Sequence, residues 1–352
     1  MKIKLAILDR DKTYLMRMVS TFGVKYADKL ELYSFTDADN AVRTVTDARI
    51  DVLLSGDTDF DCSRLPSRCA FAYLVDSMGI DSLKEQQAIC KFQKGDLIYK
   101  QILGVYSEKA STITGFSSDG DSGAVIAFCS ASGGVGSSTM AAACAVHFAM
   151  QKKKTLYLNL EKFGSAELFF SGPGQSDMSD VIFALKSKKT NLALKLTGCV
   201  KQDETGVFFF DQTKIALDML ELTTEDVLRL ISELKLMGEY DYIILDLDFA
   251  LDRESLSVLR QAQSIILVGD GSAASNLKTQ RAYAALTELE RNQDAPLTNR
   301  LTFAYNKVSS KNGASLNVAG LRVLGGAPVY SGATARQLIG ELASLKAFDE
   351  VL

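Results

Sequence analysis

Apolar and polar positions along this chain switch repeatedly between two periods, in two successive blocks. In the first block "KIKLAILD", "KLELYSF", "RIDVLLS" and "CAFAYLV" are apolar runs of strand length bounded by charged or turn residues. "KTYLMRMVSTF" and "DADNAVRTV" carry apolar residues at helical spacing, the second with Asp37 or Asp39 near its start. The pattern also predicts a helix over "DSLKEQQAICKF" and a last strand at "DLIYK", while the polar "GDTDFDCSRLPSR" leaves room for a short helix at most. In the second block the strand-length runs are "AVIAFCS", "KTLYLNL", "GVFFF", "DYIILDL", "SIILVG" and "LTFAYN". Helical spacing falls at 138–150, 223–237, 253–262, 275–292 and 333–347. Strands that alternate with helices predict parallel sheets covered on both faces, the α/β class. The second block reads as a doubly wound sheet.

Between the blocks lies "SEKASTITGFSSDGDS", residues 107–122, rich in Ser, Thr, Gly and Asp and without a period. It reads as a linker between a domain at 1–106 and a larger one at 123–352. A length of 352 residues suits two domains. Composition changes little, since 47% hydrophobic and 23% charged residues are ordinary for a globular chain. Charge does more: a net −4 provides no basic field, so no sequence-specific nucleic-acid partner is expected. The longest apolar runs are strand-sized, which predicts no transmembrane segment. "MKIKLAILDRD" lacks the apolar core and cleavage site of a signal peptide and reads as a first strand, so a cytoplasmic location is expected. The six cysteines form no CxxC pair and read as core residues of a reducing compartment. With His147 as the only histidine, a His-based triad or a His-rich metal site has little to build on.

The candidate chemistry is concentrated in "AVIAFCSASGGVGSSTMAAACAVHFA", which runs strand, glycine loop, helix. Gly133, Gly134 and Gly136 let the backbone turn tightly and aim successive N–H groups inward. The loop feeds a helix N-terminus, whose free N–H groups and dipole favour an anion. The small residues Ala141 to Ala145 suit a helix packed close on a sheet. "DYIILDLDF" delivers Asp246 to the end of an apolar strand, where a carboxylate either holds Mg²⁺ through water or caps the next segment of chain.

The loop resembles the deviant Walker A motif of the ParA/MinD family, G-K-G-G-V-G-K-[ST]-T. Here it reads Ala131-Ser132-Gly133-Gly134-Val135-Gly136-Ser137-Ser138-Thr139, with serine at both lysine positions. In the family one lysine reaches the phosphates of a dimer partner, and the other touches the β- and γ-phosphates of its own nucleotide. The resemblance implies an ATP·Mg²⁺ site with Gly133, Gly134, Val135, Gly136, Ser137, Ser138 and Thr139 around the phosphates. It puts Ser138 and Asp246 on the metal side and Asn306 at the adenine. Asn159 and Glu161 fall in the first switch, where Glu161 stands in for the family's water-positioning aspartate.

The first block resembles a response-regulator receiver, a flavodoxin-like fold. Asp9 and Asp11 follow its first strand, and Lys100 in "DLIYK" takes the place of the receiver's lysine. The phosphoacceptor position falls on Ser55 or Gly56, with Asp57 just beyond, so the phosphorylation site reads as inactive. A receiver-like domain followed by a ParA/MinD-like P-loop NTPase domain is similar to the TadZ/CpaE proteins of Tad-type pilus assembly. "MSDVIFALKSKKTNLALKLTGCV" also resembles the TadZ branch that has lost the lysines. The resemblance implies a cytoplasmic, polar homodimer that works with other pilus assembly proteins.

A lost lysine contact, worth roughly 1.5–3 kcal/mol, weakens nucleotide binding by about one to two decades. Backbone N–H groups and Mg²⁺ remain. Hydrolysis suffers more, since a cation on the transition state is worth about 10³–10⁵ in rate. The expected function is therefore an ATP-binding dimeric scaffold with weak or absent ATPase activity. One alternative is an active ParA/MinD-type ATPase that positions DNA or septum components, with Lys162 or Lys278 replacing the lost lysines. Another is a phospho-regulated signalling protein. The loop also admits a purely structural strand–helix turn, and Asn306 an ordinary turn residue. Lys186 to Lys189 read as a solvated face, and the stripe Leu338, Ile339, Leu342, Leu345 and Phe348 as a docked terminal helix.

Overall fold

The computed structural model describes residues 2–80, 82–109, 123–187, 191–291, 296–309 and 313–352. Most of the expected linker, and Lys188 and Lys189, lie outside the described residues. The chain divides into two compact units, Met1–Gly115 with Ser187–Cys199, and Phe116–Lys186 with Val200–Leu352.

The first unit runs β1 (Ile3–Leu8), α1 (Lys12–Lys25), β2 (Leu30–Phe35), α2 (Ala38–Asp47), β3 (Val52–Ser55), β4 (Ala70–Val75), β5 (Ser82–Leu83), β6 (Gln86–Cys90) and α3 (Gly95–Lys109). The sheet order is β2-β1-β3-β4-β6-β5, parallel except for the β5–β6 hairpin. Both faces are buried, as the unbroken apolar runs require. Leu5, Ile7, Val52 and Leu54 share a core with Phe22 and Ile102, and Ala6, Leu8 and Leu53 with Ala41 and Val45 on the opposite face. Asp11 and Asp37 cap α1 and α2 through their carboxylates.

Two expected elements are corrected here. "DSLKEQQAICKF" is the β5–β6 hairpin and not a helix, and "DLIYK" opens the helix α3 and is not a strand. The hairpin turn places Lys84 and Glu85 at φ +49° and +61°. Such turns are normally announced by Asn-Gly or Asp-Gly, and neither is present. In α3 the buried Ile98, Tyr99, Ile102, Leu103 and Tyr106 give a helical period that five residues are too few to reveal.

The second unit contains β7 (Ala124–Cys129), α4 (Ser137–Met150), β8 (Thr155–Asn159) and α5 (Met178–Lys186). The next helix, α6 (Leu192–Cys199), belongs to the first unit. It packs on α3 with Leu194 in that core. A Cβ on Gly198 would lie 3.1 Å from the Lys100 carbonyl, so a glycine suits this close approach. The second unit continues with β9 (Lys201–Gln202), β10 (Phe208–Phe209), α7 (Ala216–Leu220), α8 (Thr224–Leu236), β11 (Tyr242–Asp246), α9 (Arg253–Leu259), β12 (Ser264–Gly269), α10 (Ala273–Leu289), β13 (Leu301–Val308), β14 (Arg322–Pro328) and α11 (Ala335–Leu342).

Its sheet order is β14-β13-β12-β7-β11-β8-β10-β9, parallel apart from the β9–β10 pair. The central helix α4 is buried from Met140 to Val146. A helix apolar all round belongs inside, and its alanines let the sheet approach. Ile339, Leu342 and Phe348 join the same core as α4, so the C-terminal stripe is docked as expected. His147 Nδ1 lies 2.8 Å from the Ala343 carbonyl, a structural tie to that terminal segment. Among the described residues no helix is long and apolar enough to cross a membrane.

Candidate nucleotide-binding site

Residues 130–136 turn the chain from the end of β7 into α4. Gly134 and Gly136 take φ values of +78° and +86°, which side chains rarely adopt. Gly136 is the N-cap of α4 and no side chain caps the helix. Its first N–H groups therefore have no side-chain acceptor and lie at the positive end of the helix dipole, where an anion is favoured. Gly133 and Gly134 are exposed on the loop, Val135 is buried beneath it, and Ser137, Ser138 and Thr139 form the first turn of α4. The hydroxyls of Ser132 and Ser137 are buried without a hydrogen-bond partner.

The register of β8 against β11 sets Asn159 opposite Asp246 at the strand ends. Asp246 Oδ2 accepts from the Tyr157 hydroxyl at 2.7 Å and from Asn159 Nδ2 at 2.8 Å, while Oδ1 is buried with no partner. Glu161 Oε2 accepts from Ser138 Oγ and from Asn159 Nδ2, each at 3.2 Å. Burial, and after it the negative charge of Glu161, push the Asp246 carboxyl up to about 7. Burial likewise pushes the Tyr157 phenol well above its ordinary value.

An orphaned carboxylate oxygen, a second carboxylate and a serine hydroxyl together call for a hard cation. Among the described residues no group of three or more His, Cys, Asp or Glu side chains could hold a metal by itself. A cation here would take its other ligands from phosphate oxygens and water, the coordination Mg²⁺ prefers. The residues present thus fit a nucleotide phosphate chain with Mg²⁺.

The opposite flank of the loop is supplied by β13. Asn306 is buried and its Nδ2 donates to the Val135 carbonyl at 2.9 Å. The expected site residue is brought to the loop, where it acts as a backbone brace. The next residue, Lys307, donates from Nζ to the Gly134 carbonyl at 2.8 Å. Lys307 sits at φ +57°, and the pairing with β14 slips between Tyr305 and Val308. A non-glycine residue in this region costs about 1–3 kcal/mol. Sequence reasoning named Asn306 and missed Lys307, because side chains alternate along a regular strand and the left-handed kink that returns Lys307 to the loop leaves no mark in composition. Of the two lysines weighed as replacements, Lys162 uses its backbone N–H to bond Asp248, and Lys278 lies within α10.

The first unit holds a second cluster. Lys91, just after β6, reaches Asp9 Oδ2 at 2.8 Å and Asp76 at 3.2 Å. Burial disfavours the Lys91 ammonium, but the bonds to Asp9 and Asp76 outweigh it and raise its pKa above that of an ordinary lysine. The lysine that meets Asp9 is therefore Lys91 and not Lys100, which lies in α3, where burial lowers its pKa. Asp11 is the cap of α1, and Asp57 pairs with Arg10 at 3.0 Å.

Residues 1–107 match the TadZ-like receiver-domain family. No curated protein matches the chain. Among solved structures, the ParA family ATPase of Chlorobium tepidum is similar with a TM-score of 0.50 at 19% identity, over 66% of this chain and 96% of that one. A chain of the MinC:MinD cell division complex of Aquifex aeolicus gives 0.46 at 19% identity, over 62% and 94%. The septum site-determining protein MinD of Pyrococcus horikoshii, complexed with Mg-ADP, gives 0.41 at 18% identity, over 62% and 94%. This chain thus carries a TadZ-like receiver domain at residues 1–107, followed by the fold of a ParA-family ATPase.

Proposed function

We propose that the second unit binds ATP with Mg²⁺ and that the protein is a nucleotide-stabilised homodimeric scaffold of pilus assembly, with little or no turnover. The observation that carries the reading is the Asp246 carboxylate, buried at the end of β11 with one oxygen unpartnered beside the uncapped N-terminus of α4. Such a group is costly without a cation. The backbone N–H groups of Gly134 to Ser138 would hold the phosphates, with Ser138 and Asp246 on the metal side and Tyr157 and Asn159 fixing Asp246. Bound Mg²⁺ supplies electrostatic stabilisation of phosphate charge. Asn306 would meet the adenine through its amide oxygen while its Nδ2 braces the Val135 carbonyl.

Weak hydrolysis is supported by two features. Ser132 and Ser137 provide no charge where the motif has lysines, and Glu161 is one methylene longer than the motif's aspartate, with its Oε2 already accepting from Ser138 and Asn159. Dimerisation through the loops is supported by Phe163, which is 79% exposed two residues from Glu161. Nucleotide held between two protomers adds stability by mass action. The TadZ-like receiver domain supports an association with Tad pilus assembly proteins, in the cytoplasm at a cell pole.

Calorimetry with ATP·Mg²⁺ at millimolar concentration is expected to give binding heat, and light scattering to give a dimer. Absence of heat overturns the site. A monomer at high protein concentration with and without ATP overturns the scaffold. Phosphate release above background favours the ATPase reading instead.

A further inference from the structure

The loop's missing cation has a structural replacement that its motif does not contain. Lys307 Nζ rests 2.8 Å from the Gly134 carbonyl, and the Lys307 stem runs over the loop, with Cε 3.4 Å from where a Cβ on Gly136 would be. Asn306 Nδ2 lies 2.5 Å from that same point, so a glycine at 136 leaves room for both side chains. In a regular strand, neighbours such as Asn306 and Lys307 point to opposite faces. Here both reach one loop, because Lys307 adopts φ +57° and the pairing slips beside it. Strained backbone of this kind persists where the surroundings impose it, and it concentrates at functional sites.

We infer that Lys307 is a phosphate-binding residue of this chain, supplying in cis, from the end of β13, the cation that Ser137 has lost within the loop. The inference rests on the nucleotide reading above. The ammonium is exposed and sits on a four-carbon stem, so it can exchange the Gly134 carbonyl for a phosphate oxygen by rotation about its own bonds, with the loop unchanged. Its ligand is the distal part of a nucleoside di- or triphosphate. A monophosphate, held at the α4 N-terminus alone, would gain little from it.

The test is titration of the full-length protein with ATP·Mg²⁺, ADP·Mg²⁺ and AMP, as wild type and as Lys307→Gln, Lys307→Arg and Lys307→Gly. Lys307→Gln is expected to weaken ATP and ADP about 10–100-fold, corresponding to a lost charge-assisted hydrogen bond, and to leave AMP within about twofold. Lys307→Arg should recover most of the loss. Lys307→Gly should bind like Lys307→Gln while melting at a higher temperature without nucleotide, because glycine accepts the left-handed backbone freely. If wild type binds ATP and Lys307→Gln binds it equally well, the role assigned to Lys307 is wrong and the nucleotide site stands. An equal loss for ATP and AMP would reduce Lys307 to a structural brace and also overturn the inference. If wild type binds none of the three, both readings fall together.

Discussion

A Cβ on Gly56 would stand 2.1 Å from Asp9 Oδ2: the Asp9 carboxylate fills the space above the residue after β3. Gly56 occupies one of the two positions where the sequence places a receiver's phosphoacceptor, and Lys91 Nζ closes over the same point at 3.1 Å. No acceptor carboxylate exists there, and the ion pair has taken its volume. Incubation with acetyl phosphate is therefore expected to add no 80 Da increment (about the mass of one phosphoryl group) to the intact protein. Gly56→Ala should lower stability by about 1–3 kcal/mol, as overpacking does, measured by denaturant unfolding.

The same pair makes a second prediction. Asp9 is 4% exposed, and its Oδ1 already accepts from the Asp11 backbone N–H. Lys91→Met would leave Oδ2 charged and buried opposite a methyl group. Breaking one side of a buried pair costs about 3 kcal/mol or more. Adding Asp9→Asn to Lys91→Met should recover part of that loss. A double-mutant cycle with no coupling would show that the contact is incidental to the fold.

Most of the second unit is legible in the sequence because its strands are apolar on both faces and its helices long and periodic. β12 falls on "SIILVG", and α4 and α8 lie within a residue of the expected ends. β14 is not legible: "RVLGGAP" carries two glycines and a proline, mostly outside the core, and holds its place through a bulged pairing with β13. The site shows the same divide. The glycine loop, Ser138, Asp246, Glu161 and Asn306 are motif positions, and the structure brings them around the start of α4. Tyr157 and Lys91 are named only by contact. Tyr157 is an apolar-run residue until the β8–β11 register aims its hydroxyl at Asp246, and Lys91 needs a hairpin in place of a helix before it meets Asp9.

Asp246 allows stability and function to be separated. Its charge is disfavoured by burial and by Glu161. Asp246→Asn keeps the shape and one acceptor for Tyr157 while removing the charge. The nucleotide-free variant is expected to be more stable than wild type by about 1 kcal/mol, within the range for a polar group relieved of desolvation. The rise in melting temperature that ATP gives in the presence of Mg²⁺ should shrink to that seen without the metal. A variant that melts lower without ligand would mean that the carboxylate is compensated in the native state, and the cation site would lose its support.

The last prediction concerns the two ways of putting a cation on the loop. Ser137→Lys restores the motif's own lysine in the first turn of α4, where the native hydroxyl is buried without a partner. In wild-type background Lys307 already lies on the loop through Gly134. Two ammonium groups on one phosphate chain repel each other, and the second finds fewer free oxygens. The affinity gain for ATP·Mg²⁺ is therefore expected to be small, about threefold. In a Lys307→Gln background the same substitution should gain ten- to a hundredfold, the full worth of a charged hydrogen bond. Neighbouring groups that serve one ligand are non-additive in this way. Turnover should not appear in either background. Ser132 still places no charge on the phosphates, and Glu161 is one methylene longer than the aspartate that orients water in the motif. Misplacement by about 1 Å already costs roughly 10²-fold in rate. Paired calorimetry and phosphate-release assays on the four proteins check both halves. Equal gains in the two backgrounds would separate Lys307 from the phosphates, and brisk hydrolysis from Ser137→Lys alone would make the protein an enzyme one residue from activity, with Glu161 a competent catalytic group.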